Sequence, residues 1–146
     1  MKTYGVVKMT YDIISTRKYK KTISIKTPGD VFNFLKKYAK HKQEYFLVLT
    51  LNCSHEVISI HIMSIGLVNR TLVHPREVFI HAIKDYSTSI IVAHTHPSGN
   101  PNPSGEDEEI TRNLYESSQI LGFNFVDHLI ITKTCYYSFR QEGKLK

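Results

Sequence analysis

Apolar residues recur along the chain with two periods, and the switches between those periods mark the elements. Residues 3–14 and 22–26 are rich in β-branched and aromatic side chains and read as two strands, joined as a hairpin around the basic stretch 17–21. Thr27-Pro28-Gly29-Asp30 then has the grammar of a helix start, with a hydroxyl to cap, proline at the first helical position and a carboxylate at the third. Val31, Phe34, Leu35 and Tyr38 form one apolar stripe, which predicts a helix running to about Lys42. Residues 45–52 and 56–66 are apolar runs separated by a short polar turn, expected to pair as antiparallel strands at the centre of a sheet. Pro75, Val78, Phe79, Ala82 and Ile83 have helical spacing over 75–86, and 89–93 then reads as a short, fully buried strand. From His94 the run HTHPSGNPNPSGED gathers three prolines and two glycines into a loop. It feeds a helix over about 105–121 that Gly122 ends, and residues 123–132 and 135–140 close the sequence as two more strands. Three helices among mixed strands, with no internal repeat or linker, predict a single α/β domain over 1–146.

At 146 residues the chain is long enough to bury a core without disulfide staples. Its 41% apolar and 22% charged content excludes the disordered and coiled-coil classes. No apolar run approaches the roughly 20 residues of a membrane span, and the polar start MKTYGVVKMT lacks a signal-peptide apolar stretch, so a soluble cytoplasmic protein is expected. Cys53 and Cys135 lie far apart with no C-x-x-C spacing, which argues against a disulfide framework or a thiolate zinc site and fits a reducing compartment. The net charge of +6 is uneven: residues 17–42 carry nine lysines and arginines against Asp30 alone, and residues 101–127 carry six acidic residues against Arg112 alone. A basic end can attract nucleic acid through long-range fields, but without interleaved stacking aromatics a solvated lysine-rich face is the simpler reading.

The chemistry concentrates at the last buried strand. His94 and His96 sit two apart at its end, so their side chains point to one face and can reach one metal ion. Asp107, in the first turn of the following helix, shares the inward side with Ile110 and Leu114. Two imidazoles and a carboxylate, held by a Pro/Gly-stiffened loop, are a hydrolytic ligand set that leaves a fourth position to water. The alternative is local: Ser104-Gly105-Glu106-Asp107 is also a capping box, in which the carboxylate only satisfies backbone donors.

The joint pattern of His94, His96, Ser104 and Asp107, an H-x-H followed by seven residues and S-x-x-D, resembles the JAMM motif of the JAB/MPN metallopeptidases. The loop HTHPSGNPNPSGED is similar to that of the RadC family within them, as are LVHPREVF at 72–79 and DHLIIT at 127–132. The resemblance covers about residues 43–140, with 1–42 expected as N-terminal strands and a helix packed on that core. It implies a JAB/MPN-like, cytidine-deaminase-like layered α/β domain whose curved mixed sheet is flanked by about three helices. It further implies that His94, His96 and Asp107 ligate Zn2+, that Ser104 donates to the oxyanion, and that Glu44, heading the run EYFLVLTLN, is general base and acid. Taken alone, Glu44 is an exposed glutamate at a strand edge. The implied activity is zinc-dependent hydrolysis of a peptide or isopeptide amide, in a protein or peptide substrate, through a metal-activated water. The second reading is a non-catalytic zinc-containing module binding DNA or protein in DNA repair or mobile-element functions, with residues 17–42 as its nucleic-acid contact. A zinc nucleobase deaminase is set aside, since the chain has neither H-x-E nor P-C-x-x-C.

Two features depart from the family pattern. Thr95 stands where the family carries asparagine, at a position that is not a ligand, and the helix-hairpin-helix region of longer members finds no counterpart in the first 27 residues. His128, beside Asp127, reads as a satisfied structural histidine, with a role next to the metal as the alternative. His41, His55, His61, His74 and His81 lack partners at ligand spacing and read as surface or packing residues. Ser98 and Gly99 are expected to shape the loop, Gly99 with a positive φ.

Overall fold

The β-branched and aromatic runs build one sheet. The computed structural model describes residues 15–18, 21–66 and 73–146, so the strand expected over 3–14 lies outside the described residues. In chain order the elements are β1 (Ser15–Lys18), α1 (Pro28–Leu35), a 3₁₀ turn (Tyr38–Lys40), β2 (Tyr45–Leu51), β3 (Val57–Ile65), α2 (Pro75–Lys84), β4 (Ser89–Thr95), α3 (Gly105–Leu121), β5 (Asn124–Ile131) and β6 (Tyr136–Ser138). The strands lie in the order β1-β3-β2-β4-β5-β6. Every neighbouring pair is antiparallel except β4 and β5, which are parallel and are joined through α3. The result is the expected α/β class, a mixed open sheet with three helices among the described residues.

Side-chain alternation sorts the core into two layers. Phe46, Val48, Ile90, Val92, Phe125 and Ile130 face α2 and α3, where Val78, Phe79, Ala82, Ile110 and Leu114 cover them. Leu47, Leu49, Ile91, Ala93, Leu129 and Ile131 face α1 through Val31 and Leu35. Burial on both faces is what a parallel pair at the sheet centre requires, and all seven residues of β4 are buried. Continuing the alternation of Ile90 and Val92, His94 falls on the α3 face, opposite Phe46 of β2 and Ile130 of β5. Because β2 runs antiparallel to β4, the residue just ahead of β2, Glu44, arrives beside the end of β4.

Three boundaries differ from the sequence reading. The helix expected to reach Lys42 ends at Leu35, after which Ala39, Lys40 and His41 bond three residues back. Ala39 is buried alongside Val31 and Leu35, and Phe34 and Tyr38 of the expected stripe pack, partly buried, against the same cluster. The strand expected over 22–26 is reduced to a single bridge, Ser24 with Glu56. In its place β1 forms at 15–18, overlapping the stretch read as a turn, because pairing with the edge of β3 demands only backbone donors and acceptors. Among the described residues, no helix is long and apolar enough to cross a membrane.

Candidate metal centre

His94 is the sixth residue of the buried strand β4, and its ring is 3% exposed. The backbone N–H of His96 donates to the Ile131 carbonyl at 2.9 Å, which carries the ladder one residue past the strand and keeps both histidines at one end of the sheet. Their rings meet edge to face, with centroids 4.7 Å apart. The chain then turns back: Gly99 N–H donates to the His96 carbonyl, and Gly99 has φ 85°, a conformation open to glycine at little strain. This turn brings the Asn100 carbonyl to 2.9 Å from His96 Nδ1. A carbonyl only accepts, so Nδ1 carries the hydrogen and the neutral ring presents its Nε2 lone pair, which lies 3.4 Å from Asp107 Oδ2.

Asp107 lies in the first turn of α3. Ser104 is the N-cap, its Oγ accepting from Asp107 N–H at 3.1 Å. In return Asp107 Oδ2 accepts from Ser104 N–H at 2.7 Å and from the Ser104 hydroxyl at 2.9 Å. Asp107 Oδ1 faces His94 Nδ1 at 2.8 Å. The capping box and the ligand cluster are therefore one arrangement, with the cap orienting a carboxylate whose other oxygen meets the histidine. Burial pushes the Asp107 carboxyl up, but the hydrogen bonds from His94 and Ser104, with His96 close beside it, outweigh it and hold the group well below the usual carboxylate range. For His96, burial pulls the pKa down, yet the Asp107 carboxylate and the Asn100 carbonyl leave it above its ordinary value.

Glu44 is brought to the same place from the start of β2. Its carbonyl accepts from Gly66 N–H at 2.8 Å, and the next residue, Tyr45, donates its N–H to Thr95 Oγ1 at 2.8 Å. Glu44 Oε2 lies 3.2 Å from His94 Nε2, with the side chain 31% exposed. All five sequence candidates thus converge at the end of β4. The departure at position 95 acquires a task, since the Thr95 hydroxyl anchors the chain that carries Glu44.

Sequence reasoning missed three supporting groups: Thr95, the Asn100 carbonyl, and Thr111, whose Oγ1 lies 2.6 Å from both the Asp107 carbonyl and His128 Nδ1. His128 is fully buried, and its Nε2 has no partner among the described residues, so it is not the satisfied structural histidine the sequence suggested. Burial, then the nearby His94, holds its pKa down to about 3. Two histidines read as plain packing residues have specific partners: His61 pairs with Asp85 at 2.6 Å and stacks on His81, and His74 caps α2 by accepting from Arg76 N–H. No spacing in the sequence links 61 to 85.

One ligand-type atom each from His94, His96 and Asp107 lie within 4.8 Å of one another. Two imidazoles, one with its tautomer fixed by a carbonyl, and a carboxylate kept ionised are a donor set that fits a divalent metal of the zinc type.

Sequence comparison sets this geometry beside known proteins. The family described as RadC-like JAB domain matches residues 25–144. A UPF0758 protein of Alkaliphilus metalliredigens (strain QYMF) is 48% identical over 122 residues, covering 83% of this chain and 53% of the relative. One from Methanospirillum hungatei JF-1 is 53% identical over 103 residues, covering 70% and 46%. One from Chlorobium chlorochromatii (strain CaD3) is 41% identical over 122 residues, covering 83% and 55%. The chain spans about half the length of the curated relatives it matches.

Proposed function

The chain belongs to the RadC family of JAB domains, and from that premise we propose that it is a JAMM-type metallohydrolase cleaving a peptide or isopeptide amide, with Zn2+ held by His94, His96 and Asp107. The observation that carries the reading is the approach of Glu44 to the three clustered ligands, 3.2 Å from His94, from a strand start 50 residues earlier in the chain. A lone capping box would need neither the histidines nor a second carboxylate. When bound, zinc lowers the pKa of a coordinated water to about 7 and polarises the substrate carbonyl.

The chain's own residues do the rest. Glu44, partly exposed and anchored through the Tyr45 and Gly66 backbone, accepts the proton of the attacking water and returns it to the leaving amine. Ser104 turns its hydroxyl hydrogen from Asp107 Oδ2 toward the developing oxyanion, while its backbone N–H stays on that carboxylate oxygen and keeps Asp107 oriented. His94 and His96 stay neutral as ligands, His96 oriented by the Asn100 carbonyl. Two unpaired cysteines, Cys53 and Cys135, agree with work in a reducing cytoplasm.

Elemental analysis of the untagged protein beside a His94→Ala/His96→Ala double variant tests the site. About one zinc per chain, lost in the variant, is the expected result. No metal in either protein after zinc is supplied overturns it.

A second reading, a module that contacts nucleic acid, has one observation in its favour. Lys21, Lys26, Lys36, Lys37, Lys40 and Lys42 are all exposed, whereas Asp30 is turned back onto the Lys26 and Thr27 backbone N–H groups. It requires binding to a labelled duplex that weakens steeply with salt, and absent or salt-insensitive binding removes it.

A further inference from the structure

Asp107 reaches His94 and His96 only if the first turn of α3 is held in register with the end of β4, and the structure contains a tie that does this from β5. Thr111, one helical turn beyond Asp107, has its Oγ1 2.6 Å from the Asp107 carbonyl and 2.6 Å from His128 Nδ1. A threonine hydroxyl has one hydrogen, and a carbonyl can only accept it. The hydroxyl therefore donates to Asp107, and His128 Nδ1–H donates to Thr111. Threonine in a helix divides between two rotamers, and a donor arriving from the sheet selects one of them.

The His128 ring is itself fixed. It stacks on Phe139 with centroids 4.9 Å apart and planes 8° from parallel, and it meets Phe46 edge on at 6.0 Å. Fixing it leaves Nε2 as a buried acceptor without a partner among the described residues, an arrangement that costs stability. A phenylalanine would fill the same aromatic slot without that penalty. The polar ring is accounted for by Nδ1, which reaches the metal ligand's own backbone through one hydroxyl.

We propose that His128, acting through Thr111, is a positioning residue for Asp107: it locks the first turn of α3 to β5 so that the carboxylate meets both histidines. The inference rests on the metal reading above. It names a residue that contacts neither ion nor substrate, and it predicts that metal affinity depends on a hydrogen bond made to the carbonyl of Asp107 rather than to its carboxylate.

The test is titration of the metal-free full chain with Co2+, followed by d–d absorption, and of Zn2+ by chelator competition. The proteins are the wild type, Thr111→Ser, Thr111→Val, His128→Phe and the Thr111→Val/His128→Phe double variant, each checked for folding by circular dichroism. Thr111→Val keeps shape and loses the hydroxyl, and His128→Phe keeps the stack and loses the donor. Each single variant is expected to weaken metal binding about tenfold or more. Thr111→Ser restores wild-type affinity, and the double variant is no weaker than the worse single one, because both break the same tie. Since the two singles act at different positions, a folding failure in one leaves the other decisive. Folded single variants that bind as tightly as wild type, or losses that add in the double variant, overturn the inference alone. A wild type that takes up no metal overturns the metal reading and the inference with it.

Discussion

At the scale of single residues, the site separates groups that hold a ligand from groups that move a proton. Glu44 lies 3.2 Å from His94 but outside the His94, His96 and Asp107 cluster, so Glu44→Gln is expected to retain zinc while losing about 10²–10⁴-fold in turnover. Zinc content and turnover on a peptide or isopeptide substrate check it together, and an active, zinc-loaded Glu44→Gln protein would remove the assigned base. Ser104 has two tasks that one variant can divide. As the cap of α3 it makes Ser104→Ala less stable by about 1 kcal/mol in urea unfolding; as oxyanion donor it also lowers kcat by about 10²–10³. Loss of stability with unchanged kcat would leave it a cap only. These residues were legible in the sequence because the histidines, serine and aspartate fall within one strand end and the helix start after it. Thr111 with His128, 17 residues apart, and Thr95 with Tyr45, 50 apart, were not, since only the strand register brings them together.

At the scale of elements, what the sequence made plain was what local chemistry determines. The Thr27 and Ser104 capping boxes start α1 and α3 as their residue types require, and Gly122, with φ 78°, ends α3 in the left-handed region. Gly122→Ala is therefore expected to destabilise the protein by about 1–2 kcal/mol, read as a lowered urea midpoint at unchanged m value. A variant as stable as wild type would mean that the cap is not strained by a side chain. Illegible were the elements whose form is set by a neighbour. The helix expected to reach Lys42 gives way after Leu35 to a 3₁₀ turn over Tyr38–Lys40, and β1 exists because β3 offers an open edge. Apolar periodicity reports which face is buried, not where a helix gives way to a 3₁₀ turn.

At the scale of the molecule, the sheet divides two charge populations: the lysines around α1 lie on one side, and the exposed Glu106, Glu108 and Glu116 of α3 on the other. Burial also lowers the pKa of imidazoles such as His81 on α2, and this makes stability depend on pH. Burial, with His61 and Lys84 beside it, lowers the pKa of His81 to about 4, although Asp85 pulls in the opposite direction. In the unfolded chain the same ring titrates near 6.5. Between these values the unfolded state binds more protons, so the contribution of a neutral His81 is complete above about pH 6.5 and is lost as pH falls toward about 4. Asp127 and Glu77 act in the opposite sense, because burial raises both carboxyls and the folded state takes up their protons first. The measurement that isolates His81 is therefore a difference, urea unfolding of metal-free wild type and His81→Gln at several pH values from 7 to 4. The variant is expected to lose less stability than the wild type across that window, the gap opening below about pH 6.5. Parallel curves would show that His81 takes up its proton as readily in the folded protein as in the unfolded one.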